Sequence, residues 1–109
     1  LMPMLWKLFP DHPNLLPAFF EDELDAVPEG MLLVKKPIFS REGANISFTD
    51  SNGQPIDDDG ATDGAYGEEG YIYQQRHLLP TFDANHTLIG SWLIDDQPAG
   101  FRCERTARR

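Results

Sequence analysis

The sequence predicts an α+β fold in which a short helical piece is followed by an antiparallel β-sheet. Apolar residues recur at helical spacing only in the first part of the chain, between prolines. After Met31, short runs of β-branched and aromatic residues alternate with turns rich in Gly, Asn, Asp and Pro. One helical stretch followed by several short strands is the element order of an α+β domain.

The helical part is expected within residues 1–26. Leu5, Leu8 and Phe9 share one helical face, and a proline follows them directly. Asn14 is a favourable N-cap residue and predicts the start of a second helix. The apolar residues that this second helix would turn towards a core are Leu15, Leu16, Phe19 and Phe20.

The β part is expected to contain five strands. They are predicted at residues 31–34, 46–49 and 71–80, then after a tight turn at 83–85, and at 101–105. Between the second and the third strand lies an acidic stretch, residues 50–70, which is rich in Gly and Asp and poor in large apolar side chains. This composition predicts a mobile surface loop or a hairpin tip.

Length, composition and charge restrict the class of protein. A chain of 109 residues, 40% of them hydrophobic, predicts one small folded domain. No apolar run approaches the ~18 residues of a membrane span, and the start of the chain lacks a secretory signal pattern. The net charge of −9 argues against nucleic acid as a partner, because phosphates would be repelled. We therefore expect a cytoplasmic protein, and the lone Cys103 fits a reducing compartment.

Three cations, Lys35, Lys36 and Arg41, lie within seven residues of this acidic chain. Neighbouring residues of a strand point to opposite faces, so one lysine could face solvent while the other points inward at an anion. The following S-R-E-G-A-N loop offers backbone amides, a glycine and an arginine that can bind phosphate with two hydrogen bonds. The alternatives are solvated lysines that protect a sheet edge and an ordinary β-turn.

The predicted strand at residues 71–80, Y-I-Y-Q-Q-R-H-L-L-P, is a second candidate for ligand binding. Two glutamines are unusual in a core strand. A strand with an exposed edge offers one C=O and one N–H, and these groups can pair with the edge of an adenine. An amphipathic outer strand without any ligand explains the same alternation of side chains, so both interpretations stay open at this point.

The sequence predicts no metal site. An EF-hand loop has glycine in its sixth position and glutamate in its twelfth. With Gly60 or Gly64 in the sixth position, the twelfth residue is Tyr66 or Gly70. The histidines show no metal-ligand spacing either; they are His12, His77 and His86.

Four blocks of the sequence together resemble the end of the synthetase domain of the glutathionylspermidine synthase family, a branch of the ATP-grasp carboxylate–amine ligases. The blocks are MPMLWKLFPDHPNLLPAFF, LLVKKPIFSREGANI, YIYQQRHLLP and LIGSWLIDDQPAG. They occur in the order that the family shows and cover most of the chain up to Gly100. The resemblance implies that residues 1–109 form a single partial domain, the ATP-binding segment of a longer ATP-grasp ligase.

The resemblance also implies which residues bind ATP. The lysine of the K-P-I block corresponds to Lys36, and Lys35 is then its solvent-facing neighbour. The loop that closes over the phosphates corresponds to Arg41, Glu42 and Gly43. The adenine-binding hinge is implied at Gln74, Gln75, Arg76 and His77.

The chemistry implied by the family is amide formation. ATP phosphorylates a carboxylate to an acyl phosphate, and an amine attacks it; glutathione and the polyamine spermidine are the best-known substrates. The family's Mg²⁺ ligands and a second ATP lysine are implied upstream of Leu1, so the segment is expected to need the remainder of its synthetase domain and to be inactive alone. The alternatives are a non-catalytic interaction module, a ligase with another acid and amine, and a small acidic β-rich protein without a nucleotide site.

The tail, residues 101–109, departs from the family pattern. It is basic, and Glu104 stands where the family has an arginine, with Arg105 one place later. No arginine of the tail is therefore assigned a role. A start at Leu1 and an end in arginines indicate a fragment of a longer protein.

Overall fold

The computed structural model describes residues 1–56 and 60–106, with only the backbone described for 104–106. The chain divides into two compact units, Leu1–Arg76 (the first unit) and His77–Arg109 (the second unit). In the part of the chain that is described, no helix is long and apolar enough to cross a membrane.

The first unit contains an α-helix, a 3₁₀ helix and four strands. In chain order they are α1 (Met2–Leu8), β1 (Ala18–Phe20), the 3₁₀ helix (Glu21–Ala26), β2 (Leu33–Pro37), β3 (Ser47–Thr49) and β4 (Tyr71–Gln75). Helix α1 carries a proline in its first turn, where the missing N–H costs no intrahelical bond, and its last turn is closed by Phe9, whose N–H donates to the carbonyl of Leu5. A helical piece followed by antiparallel strands confirms the predicted α+β class.

The second helix predicted from Asn14 does not form. The backbone N–H of Asn14 donates to His12 Nδ1, and Ala18–Phe20 is a strand that pairs antiparallel with β4. Pro17 explains part of the error, because a proline disfavours helical conformation in the residue before it. A short apolar run between prolines carries too little periodicity to separate a strand from a helix, and pairing with β4 decides the outcome.

The strands of the first unit form one antiparallel sheet in the order β1-β4-β2-β3. Strand β4 is therefore an inner strand with partners on both sides, and the interpretation that requires an exposed strand edge is wrong for Tyr71–Gln75. The error follows from the previous one, since the segment expected to be a helix is the strand that covers this edge. The strand also ends at Gln75, five residues earlier than predicted, and both lysines lie inside β2 rather than after it.

The core of the first unit lies on both faces of this sheet. Its buried apolar residues are Ala18, Phe19, Leu33, Phe48 and Tyr73. Leu33 is 0% exposed, and burial of such side chains is the main source of stability in a sheet of this size. Thr49 and Gln74 are the polar side chains buried with them, and among the described residues Thr49 Oγ1 has no hydrogen-bond partner.

The second unit is a three-stranded meander of β5 (Thr81–Phe82), β6 (Asn85–Ile94) and β7 (Gln97–Thr106). Its two turns, Asp83–Ala84 and Asp95–Asp96, have positive φ at both central residues, and this turn geometry matches the twist of a two-residue hairpin. The predicted turn at 83–85, the strand after it and the strand at 101–105 are confirmed. Residues 107–109 of the predicted basic tail lie outside the described residues.

Candidate functional site

Lys36 lies on β2, and its ammonium is partly removed from water. Its Nζ donates a 2.8 Å hydrogen bond to Oε1 of Gln74, which is diagonally opposite on β4 and 8% exposed. Burial disfavours the charged form and lowers the pKa of Lys36 below its ordinary value. A half-buried cation with one neutral partner is stabilised when an anion approaches, and this is the property that a phosphate-binding lysine needs.

Lys35 points to the opposite face of the sheet, as strand geometry predicts. Its Nζ lies 4.1 Å from the centroid of the Tyr71 ring and 5.9 Å from that of Tyr73. The side chain is half-buried, so the prediction of a solvent-facing lysine is only partly right. A cation over an aromatic face is a stabilising contact that requires no ligand, and the two neighbouring lysines therefore have different environments.

The predicted glycine loop joins the antiparallel strands β2 and β3. Glu42, Gly43 and Asn45 all adopt positive φ, and Gly43, at φ 72°, is the residue for which this conformation costs least. Arg41 and Glu42 are exposed and form a loose ion pair of 3.5 Å, which contributes little to stability. The arginine can therefore reorient towards a ligand at small cost.

The backbone N–H groups in the second half of this loop already donate hydrogen bonds within the protein. The N–H of Ala44 donates to the Arg41 carbonyl at 3.1 Å, that of Asn45 to the Asp63 carbonyl at 3.5 Å, and that of Ile46 to Thr62 Oγ1 at 2.9 Å. These amides are used inside the protein, so the sequence prediction that the whole loop offers amides to phosphate is too broad.

The predicted adenine hinge also differs from expectation. The N–H of Gln75 donates to the Pro17 carbonyl and that of Arg76 to the Leu32 carbonyl, each at 2.8 Å. These two amides are therefore not available to a base. Gln74 faces Lys36, whereas Gln75 lies opposite Leu33 on the other face of the sheet.

The last two hinge residues lie on either side of the boundary between the units. The guanidinium of Arg76 lies over the ring of Phe48, 4.6 Å from its centroid. His77 is exposed and begins the second unit. Among the predicted site residues, the structure joins Lys36 to Gln74 and Arg41 to Glu42.

Sequence reasoning missed the role of two polar residues, Asn45 and Thr62. Both form hydrogen bonds between the glycine loop and the acidic stretch. Asparagine in a Gly-rich loop was a visible signal, but nothing in the sequence pairs it with a segment nineteen positions away. Among the described residues, no group of three or more His, Cys, Asp or Glu is arranged to hold a metal ion.

The chain is similar to enzymes whose names describe ligases and synthetases. It is 39% identical over 102 residues to a putative acid–amine ligase of Haemophilus influenzae, covering 92% of this chain and 26% of that protein. It is 35% identical over 102 residues to the trypanothione synthetase of Crithidia fasciculata, and 31% identical over 100 residues to the bifunctional glutathionylspermidine synthetase/amidase of Escherichia coli. Each of these two alignments covers 92% of this chain and 15% of the relative.

The family is given by a further comparison. The sequence model described as glutathionylspermidine synthase preATP-grasp matches residues 1–108. The chain belongs to the glutathionylspermidine synthase family, which confirms the resemblance seen in the four sequence blocks. It spans about a quarter or less of the length of these three relatives.

Proposed function

We propose that this chain is the ATP-binding portion of an acid–amine ligase that forms an amide through an acyl phosphate. The observation that carries the proposal is Lys36: a half-buried ammonium with a lowered pKa, on a strand followed by a glycine loop. Family membership supports the ligase class, because the relatives are named as ligases and synthetases. When bound, ATP supplies the phosphoryl group that activates the carboxylate.

In this proposal, Lys36 neutralises phosphate charge. An anion close to Nζ favours the charged form and offsets the loss of hydration that lowers the pKa of this lysine. The first part of the loop, Arg41 to Gly43, is assigned to the phosphates as well, since Arg41 is exposed and only loosely paired to Glu42. The loop amides after Gly43 are excluded from this role by their internal hydrogen bonds.

Adenine is assigned to the end of β4 and the residues that follow, Gln74 to His77. Because the amides of Gln75 and Arg76 donate inside the protein, neither is assigned a hydrogen bond to the base. Gln74 acts through Lys36, to which its side chain is bonded. This assignment keeps the residues implied by the family and changes the groups that they use.

Magnesium does not fit the described part of this chain. Phosphoryl transfer requires cations that neutralise the developing charge, and carboxylate-held Mg²⁺ is the usual solution. The described residues contain no cluster of suitable ligands, so no step is assigned to a metal here. We propose that the metal ligands and the remaining ATP contacts belong to other parts of the synthetase, which pack with this segment in a cytoplasmic enzyme.

The acid and the amine are proposed as small molecules, with glutathione and a polyamine as the first pair to test. A different acid and amine are the second candidate substrates. The names of the relatives favour this alternative, since they describe a glutathionylspermidine synthetase, a trypanothione synthetase and an unspecified acid–amine ligase. Substrate-dependent ATP consumption by the full-length enzyme distinguishes the pairs. The 109-residue segment alone is expected to show no turnover with either pair.

The test of the nucleotide site is a pair of adjacent substitutions in the full-length enzyme. Lys36→Met should weaken ATP binding, measured by calorimetry, more than tenfold, which is about 1.4 kcal/mol or more. Lys35→Met is the matched control, because it removes the same charge from the opposite face of the same strand. Equal losses from both substitutions would show that the site is not on the Lys36 face.

A further inference from the structure

Part of the acidic stretch is bound to the glycine loop. Residues 60–66, which we call the strap, lie against residues 41–46, the glycine loop. The carbonyl of Ile46 accepts the N–H of Thr62 at 2.8 Å, and the N–H of Ile46 donates to Thr62 Oγ1 at 2.9 Å. The same hydroxyl donates to the carbonyl of Gly43. Thr62 therefore links both ends of the second half of the loop.

Asn45 forms a second set of hydrogen bonds with the strap. Its Nδ2 donates to the carbonyl of Gly64 at 2.8 Å, and its Oδ1 accepts the backbone N–H of Tyr66 at 2.8 Å. Both ends of this amide are thus satisfied by backbone groups of one segment. The prediction that the whole of residues 50–70 is a mobile loop does not account for these contacts.

Gly64 permits the close approach of the two segments. A Cβ at this position would lie 2.6 Å from Asn45 Oδ1 and 2.8 Å from the Cβ of Ala44. Real Cβ atoms do not approach other heavy atoms so closely, so any larger residue would push the strap away from the loop. The strap and the loop are therefore fitted to each other at three positions: Asn45, Thr62 and Gly64.

The loop conformation needs this support. Glu42 and Asn45 hold positive φ without being glycine, at 56° and 55°. Such conformations cost about 1–3 kcal/mol each and persist only where the surrounding structure enforces them. The hydrogen bonds of Thr62 to the loop and of Asn45 to the strap supply that enforcement for the second half of the loop.

We propose that Asn45 and Thr62 are positioning residues that hold the glycine loop ready to receive the phosphates of ATP. This inference rests on the proposed function and deepens it. Neither side chain is assigned a contact with the nucleotide. A loop already held in its binding conformation loses little conformational entropy when the ligand binds, and affinity for the phosphates rises for that reason. Adenosine, which has no phosphate, gains nothing from the arrangement.

The experiment measures affinities of the full-length enzyme for ATP and for adenosine. Thr62→Val keeps the shape of the side chain and removes its hydrogen bonds, and Gly64→Ala inserts the clashing Cβ. We expect ATP affinity to fall about fivefold or more in each variant, as loss of preorganisation predicts, while adenosine affinity stays within about twofold of wild type.

Two control variants match these changes. Thr49→Val is the control for Thr62→Val, because the buried Thr49 hydroxyl has no hydrogen-bond partner among the described residues. Gly90→Ala is the control for Gly64→Ala, because no atom lies within 4 Å of the added Cβ. Both controls should bind ATP as the wild type does, and thermal melting verifies that every variant is folded.

A further variant and a second measurement cover the case in which Thr62→Val or Gly64→Ala fails to fold. Asn45→Gly removes both side-chain hydrogen bonds, adds no charge near the phosphates and tolerates the positive φ, and we expect a loss of ATP affinity. Amide exchange of Ile46 should accelerate in parallel. Wild-type enzyme that does not bind ATP overturns the proposed function and this inference together. Wild-type binding with equal losses of ATP and adenosine, or with no loss, overturns the positioning role alone.

Discussion

The two units of this chain form similar antiparallel strands from different sources of stability. In the first unit the sheet has buried side chains on both faces, and Leu33 is 0% exposed. In the second unit the two ten-residue strands are paired along their length, yet Trp92 is 63% and Phe101 77% exposed. Pairing and tight turns are thus sufficient to define strands, and the buried apolar side chains among the described residues all belong to the first unit.

The difference explains why the candidate site lies where it does. Lys36 has a perturbed pKa because the sheet around it excludes water, and a similar lysine on β6 or β7 would stay hydrated. Large exposed apolar surfaces normally pack against something. The remainder of the synthetase, which we have proposed as the partner of this segment, is the expected cover for the second unit.

The strongest test of the comparison is a matched pair of leucine substitutions. Leu33→Ala should destabilise the first unit by about 2–5 kcal/mol, because it leaves a cavity in a closed core. Leu93→Ala in the exposed face of β6 should change stability by less than about 0.5 kcal/mol. Denaturant unfolding of the chain measures Leu33→Ala by Trp6 fluorescence in a Trp92→Phe background, and Leu93→Ala by Trp92 fluorescence in a Trp6→Phe background. Similar losses for both substitutions would show that Leu93 is buried in solution.

Hydrogen exchange compares the units directly. Backbone amides of β2 and β4 should exchange at least about tenfold more slowly than those of β6 and β7, a difference of about 1.4 kcal/mol in opening free energy. The reason is that a strand whose described side chains are mostly exposed opens locally without unfolding a core. Equal protection in the isolated chain would mean that the second unit is as cooperative as the first.

The charge of Lys36 should make the first unit less stable at neutral pH than at alkaline pH. Its pKa is lowered in the folded state, so the unfolded chain binds more protons and stability rises with pH towards the unfolded pKa of about 10.4. Lys36→Met should remove this pH dependence. The variant should be more stable than the wild type at pH 7, and this difference in stability should shrink between pH 7 and pH 10. The Lys36→Arg control, which does not titrate in this range, should keep the penalty throughout. The same pH dependence of stability in wild type and in Lys36→Met would contradict the burial of the ammonium.

The smallest expected effect concerns the 3₁₀ helix. Its Glu23 carboxylate pairs with Lys7 and accepts the N–H of Phe20 at 2.9 Å, and these contacts lower its pKa. The stability that the Glu23 carboxylate gives to the folded state is therefore present above the unfolded pKa of about 4.3. It is lost as the pH falls through the pKa of the folded state. Glu23→Gln should lower the free energy of unfolding by up to about 1 kcal/mol at pH 7 and should leave it unchanged in strong acid. Thermal melts of both proteins across this range measure it.

Local sequence patterns correctly predicted the structural features that depend on residues close together in the chain. The turn at Asp83–Asn85, the strands around the lysines and the opposite faces of Lys35 and Lys36 follow from residue type and the period of a strand. The prediction of a helix over Ala18–Phe20 failed because three apolar residues between prolines fit a helix or a strand equally well. Its true conformation is set by Ile72–Gln74, more than fifty positions away.

The supporting residues of the site were unpredictable for the same reason. The bond between Lys36 and Gln74 spans thirty-eight positions, and that between Asn45 and Gly64 spans nineteen. Neither is visible in a window of sequence. The family resemblance selected Lys36 and Gln74 as residues that bind the nucleotide, but it did not indicate that their side chains contact each other.

The inner position of β4 also determines when the sheet can be completed during synthesis. Fifty residues separate Phe20 from Tyr71, so β1 leaves the ribosome long before its partner strand exists. At typical elongation rates the delay is about 3–10 s. For that time Phe19 and Phe20 have no strand to pair with, and the nascent chain exposes apolar surface that favours aggregation. Contacts between such distant segments also slow folding. Strand β1 is therefore synthesised first but is among the last strands of this sheet to pair.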